Sequence, residues 1–126
     1  MKKQTYRLIV AGCRDFCDYP TAAAALQRYI EALGAGVEVI IVSGGARGAD
    51  ALGERFAAEH GLTVERFPAE WARYGRAAGP KRNAQMAEAA DGALIFWDGT
   101  SKGTHNMIEC ARRAGKPLAL VQIGEV

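Results

Sequence analysis

Five short apolar runs constrain this chain more than any other feature. "YRLIVAG" (6–12), "VEVIIVS" (37–43), "LTVERF" (62–67), "GALIFWD" (92–98) and "PLALVQI" (117–123) are each too short for a buried helix and rich in β-branched or bulky residues. Such runs are the mark of strands covered on both faces. Between them lie stretches with helical spacing. In residues 21–33, Leu26, Tyr29, Ile30 and Leu33 share a face, with Thr21 as the cap and Gly34 as the stop. Residues 49–60 place Leu52, Phe56 and Ala57 together, and residues 80–90 and 103–115 complete the set, with Pro80 in a first helical turn. Strict strand–helix alternation predicts a Rossmann-like, three-layer α/β/α domain with a mainly parallel five-stranded sheet and right-handed crossovers. Residues 68–79 are expected to form one irregular, oversized loop, a common place for function.

The totals bound the function. At 126 residues one domain spanning 1–126 is expected, and 49% apolar residues supply a core. A net charge of +2 is too small to argue for nucleic acid. Three cysteines do not make a disulfide framework, and Cys13 and Cys17 have no zinc-type partners. Lys2 and Lys3 before "LIVAGC" imitate a lipoprotein signal, but the apolar stretch is about five residues where a signal needs roughly 7–15. No run approaches a membrane span, so a cytoplasmic location is expected.

In parallel α/β sheets ligands bind beyond the carboxyl ends of the strands. Here those ends carry "GCRD" (12–15), "SGGARGAD" (43–50) and "WDGTSKGT" (97–104). Glycines running into a helix start expose backbone N–H groups at the positive end of the helix dipole, an anion site most often used by phosphate. Gly44, Gly45, Ala46 and Gly48 fit this description, with Ser43 as a hydroxyl donor. Asp50 is unusual for a phosphate loop and would either cap the helix or accept from a ribose hydroxyl. Gly103 and Thr104 would form the second such loop, and Gly12 and Arg14 follow the first strand. Arg82 and Asn83 open the third helix, while Trp71, Tyr74 and Trp97 offer faces for a base, Trp97 preferred. Trp71 and Tyr74 read more naturally as loop packing, and Cys13 as a pocket wall without a base to activate it. GxGxxG is absent after the first strand, "GTSKGT" lacks the spacing and ending of a P-loop, and "GCRDF" contains no nucleophile elbow.

The ordered set "VAGCRDF", "VSGGARGAD", "GPKRNAQM" and "ALIFWDGTSKGT" resembles the SLOG superfamily across nearly the whole chain, most closely its YspA-like branch. The LOG phosphoribohydrolases and the DNA-uptake protein DprA are distant relatives. The resemblance implies a Rossmann-like fold and a nucleotide or nucleotide-derived ligand, with phosphate on Gly44, Gly45 and Gly48. It aligns Gly103 and Thr104 with the GGxGT loop of LOG enzymes and Arg82 with their catalytic arginine. Those enzymes carry GGxGTxxE, and here Met107 stands at the glutamate. Glu109, two residues on, points about 200° away on a helix.

The expected function is therefore binding of a nucleotide or nucleotide-derived phosphorylated ligand, with no metal, no cofactor, no membrane partner and no nucleic acid. Catalytic residues are not assigned; Arg82, Asp98 and Glu109 are the weak candidates. The alternatives are a nucleotide N-glycosidic hydrolase, with Asp98, Asp50 or Glu109 as its acid, a DprA-like DNA-binding module, and an interaction module with an empty pocket. A homo-oligomer is expected because related domains often pair through their helices.

Overall fold

A computed structural model describes residues 4–124. Its elements run β1 (Gln4–Gly12), α1 (Tyr19–Leu33), β2 (Val37–Ser43), α2 (Ala49–His60), β3 (Thr63–Arg66), α3 (Trp71–Tyr74), a 3₁₀ turn (Gly75–Ala77), α4 (Ala78–Ala89), β4 (Gly92–Trp97), α5 (Lys102–Arg113) and β5 (Leu118–Gln122). The sheet order is β3-β2-β1-β4-β5, and all four pairings are parallel. Lys2 and Lys3, which raised the question of a signal, lie outside the described residues. Among the described residues no helix is long and apolar enough to cross a membrane.

The continuous apolar character of the central strands now has its reason. In β1, Leu8 and Val10 face one side and Ile9 and Ala11 the other, because side chains alternate along a strand. The first side packs on α1 and α2 through Leu26, Ala22, Phe56 and Ala57. The second packs on α4 and α5 through Met86, Ala87, Met107, Ile108 and Ala111. Each fully buried aliphatic or aromatic side chain contributes about 1.5–3 kcal/mol, so the two layers clamp the sheet from both faces.

Two boundaries differ from expectation. Helix α1 begins at Tyr19, and its cap is Asp18, whose carboxylate accepts from Thr21 N (3.2 Å) and from the Thr21 hydroxyl (2.7 Å). Thr21 is thus a donor inside the first turn, and Pro20 is accommodated there because no intrahelical partner is required of its nitrogen. Residues 68–79 are not irregular throughout: Trp71–Tyr74 forms a helical turn that breaks at Gly75 (φ +56°), and the 3₁₀ turn then leads into α4. The Tyr74 ring steadies this run, with Arg73 Cζ 5.0 Å and Lys81 Nζ 4.8 Å from its centroid.

Strand β1 has β2 on one side and β4 on the other. The chain leaves β1 toward α1 on one face and leaves β4 toward α5 on the opposite face. The loops therefore diverge at the β1/β4 junction and open a crevice there.

Candidate functional site

The crevice is built from three loops. The loop after β1 is pinned at both ends: Cys13 N donates to Phe96 O (3.1 Å), and Cys13 O accepts from Phe16 N and Ala49 N (both 3.2 Å). Gly48, at φ +79°, lies directly on this loop. A Cβ there would collide with Cys13 O and stand 2.6 Å from Arg14 Cα. Gly48 is needed for close backbone packing, and Arg14 is thereby held at the crevice rim.

The loop after β2 departs from the expected phosphate cradle. Gly44 N donates to Asp50 Oδ2 (2.9 Å), and Gly45 N donates to Ser43 Oγ (3.0 Å). The Ser43 hydroxyl donates in turn to Glu54 Oε2 (2.6 Å) and is completely buried. Glu54 is clamped by Arg66 through Nε and Nη2 (3.0 and 2.6 Å). Burial raises its carboxyl, but the bonds from Arg66 and Ser43 outweigh it and hold the group below its ordinary range. Thus two of the N–H groups expected to hold phosphate are satisfied within the protein, and the anion in the glycine turn is Asp50. The Ser43 hydroxyl is likewise bonded within the protein on both its donor and acceptor sides. Gly44 has a reason of its own: a Cβ would come within 2.5 Å of Arg82 Nη1 and 2.9 Å of Asp50 Oδ2.

Asp50 is the electrostatic centre of the site. It is only 5% exposed yet lines the crevice. Burial pushes its carboxyl up to about 6, against the opposing pull of Gly44 N–H and Arg82. Arg82 itself donates to Gly44 O (2.8 Å) and to Asn83 Oδ1 (3.0 Å), and its pKa is lowered by burial although Asp50 favours its charge. Asn83 joins α4 to α5 through Asn106 Oδ1 (2.9 Å) and, more weakly, Gly103 O (3.4 Å).

The third loop is ordered by Asp98, whose Oδ1 accepts from Thr100 N (2.8 Å) and Ser101 N (2.9 Å). These two bonds hold its carboxyl below the usual range. Ser101 caps α5 through Thr104 N (3.4 Å) and the Thr104 hydroxyl (3.0 Å). Thr104 is buried against Cys13. Burial pushes the Cys13 thiol up, away from the reactive thiolate form.

The resulting cavity holds about 590 Å³. It gathers Gly12, Arg14, Ala46, Asp50, Arg82, Asn83, Asp98, Gly103 and Thr104 from the expected set. Gly44 and Gly45 line an adjoining chamber. Three expected residues belong elsewhere. Gly48 and Ser43 act in the packing just described. Trp97 lies off the cavity, packed among the buried residues with its Nε1 donating to Ser101 O (3.3 Å) and its ring against His105 (5.7 Å between centroids). Glu109 also faces away, toward Arg112 (3.2 Å) and His105 (3.9 Å), as its helical phase requires. Met107, at the position where LOG enzymes carry glutamate, is buried and lines the cavity. Arg47 and Lys102 also line it and were passed over by sequence reasoning, and Trp71, read there as loop packing, lines it too. Arg47 and Lys102 stand inside the glycine loops, and that adjacency was the signal available.

Comparison with known proteins agrees with this architecture. The profile of the YspA, cpYpsA-related SLOG family matches residues 6–74. The Gene 61 protein of Mycobacterium phage D29 is 36% identical over 118 residues, covering 89% of this chain and 93% of its own. Among solved structures, DNA processing protein A (DprA) from Streptococcus pneumoniae superposes with a TM-score of 0.71 at 19% identity. That match takes in 98% of this chain but 52% of DprA, so the chain spans about half the length of that protein and shares its fold. On the profile and the phage relative together, the chain belongs to the YspA, cpYpsA-related SLOG family.

Proposed function

We propose that the chain binds a nucleotide or nucleotide-derived phosphorylated ligand in the crevice between β1 and β4. The observation that carries this reading is the cavity itself. It has the volume of a small-molecule site. It stands at the switch point of a doubly wound sheet. Arg14, Arg47, Arg82 and Lys102 border it, while Met86 and Met107 give it an apolar wall. SLOG membership supports a nucleotide-related role. Because Gly44 N and Gly45 N are already bonded, the ligand's charge is met by these side chains more than by the glycine backbone.

The test is a thermal-shift panel of nucleoside mono- and diphosphates and NAD, with chromatography of each mixture for released base. Binding without release, weakened in Arg82→Ala, is the expected result. No shift with any member of the panel would refute it.

A second reading, hydrolysis of the N-glycosidic bond, draws on Asp50. A buried carboxyl with a pKa near 6 on a cavity wall can take a proton from an attacking water. Met107 offers no such group, so base release abolished in Asp50→Asn would favour this reading.

A further inference from the structure

The charges around the crevice are unevenly distributed. Beside the main cavity lies a smaller chamber of about 300 Å³. Three arginines, Arg14, Arg47 and Arg82, line it together with Trp71 and the backbone of residues 44–46, and no carboxylate does. The carboxylates Asp15, Asp50 and Asp98 line the main cavity, where the same three arginines also reach, and Arg47 Nη2 lies 3.6 Å from Asp15 Oδ1. An anion therefore meets arginines with no carboxylate in the wall only in the smaller chamber.

Trp71 lines both spaces. It is 53% exposed, an unusual cost for so large an apolar ring. Its benzo edge rests on the backbone of α4 at Gly79, where an added Cβ would stand 3.3 Å from the ring. The indole is thus backed on one edge and open at the crevice.

Resting on the nucleotide reading above, we propose that the ligand is a nucleotide whose phosphate occupies the arginine chamber and whose base stacks on Trp71. The guanidinium groups supply the planar donor forks that phosphate oxygens accept. The indole supplies a face that any base can use. This division assigns Arg14, Arg47 and Trp71 to ligand binding and gives the Asp98 side no phosphate.

The chain has two tryptophans, so Trp97→Phe leaves Trp71 as the sole indole reporter. Its emission is followed while AMP, GMP, CMP, UMP, adenosine and ribose 5-phosphate are added, with calorimetry alongside. Nucleoside monophosphates should quench Trp71 saturably. Arg47→Ala should weaken AMP and ribose 5-phosphate about tenfold and leave adenosine unchanged. Trp71→Ala should weaken AMP and adenosine about tenfold and leave ribose 5-phosphate unchanged. AMP that binds by calorimetry without altering Trp71 emission overturns the stacking. Unchanged AMP affinity in both Arg14→Ala and Arg47→Ala overturns the phosphate chamber. Failure of all four monophosphates overturns the proposal; if NAD or a diphosphate then shifts the melting temperature, the broader nucleotide reading survives it.

Discussion

Replacing Asp50 with asparagine should make the protein more stable at neutral pH. The carboxyl has an ordinary value of 3.8 and is raised by burial to about 6 in the folded chain. The folded state therefore holds this proton more tightly than the unfolded chain does. Stability linked to Asp50 is present in full below about pH 4 and is lost as pH rises through about 6. A displacement of about two units at 1.36 kcal/mol each gives a loss of about 3 kcal/mol above pH 6. Asparagine is uncharged at every pH and still offers Gly44 N an acceptor. Urea unfolding of both proteins should give matching midpoints near pH 4 and a variant more stable by about 1–3 kcal/mol at pH 7.5. Taking the difference between the two proteins cancels the titration of every other carboxylate. A gap that does not change with pH, or a variant less stable at pH 7.5, would refute the assignment of Asp50 as an uncompensated buried acid.

Gly48→Ala should cost about 2–5 kcal/mol, because φ +79° and a collision with the Cys13–Arg14 backbone act together. Gly45→Ala, at φ +74° in open space, should cost only about 1 kcal/mol, and chemical denaturation of the two variants side by side measures the contrast. Ser43→Ala removes the acceptor of Gly45 N and the donor to Glu54 Oε2, while Arg66 keeps Oε1, and should cost about 1–3 kcal/mol, read as a lower melting temperature. A fluorescent single-stranded oligonucleotide should show only weak, steeply salt-dependent binding by anisotropy, given the net charge of +2; tight binding at physiological salt would shift the functional reading toward DNA.

The strands and helices were legible because burial on both faces leaves a one-dimensional trace. Leu8, Ile9, Val10 and Ala11 are apolar in succession since each meets a helix layer. The location of the cavity followed from where glycines and hydroxyls fall relative to strand ends. What the three glycines do was not legible. Gly44 gives room to Arg82, which lies 38 residues away in sequence, and Gly48 gives room to the loop after β1. Such contacts are set by crossover geometry, and a glycine needed for protein packing looks the same in sequence as one needed for a phosphate. That Trp71 and not Trp97 lines the cavity was hidden for a related reason. A tryptophan at the end of a buried strand has neighbours on every side, whereas one on a short helix over the crevice mouth keeps a free face. Asp18 was passed over as a cap because Pro20 hid the true start of α1.

Because the glycine turn carries its own anion in Asp50, it is folded before anything arrives. On the proposed nucleotide reading, ligand entry then requires exchange of solvent and adjustment of arginine side chains, with no segment of backbone to be ordered. Association should proceed without a slow conformational phase, at a rate governed by diffusion and the field of the arginines, and affinity differences among ligands should reside in their escape rates.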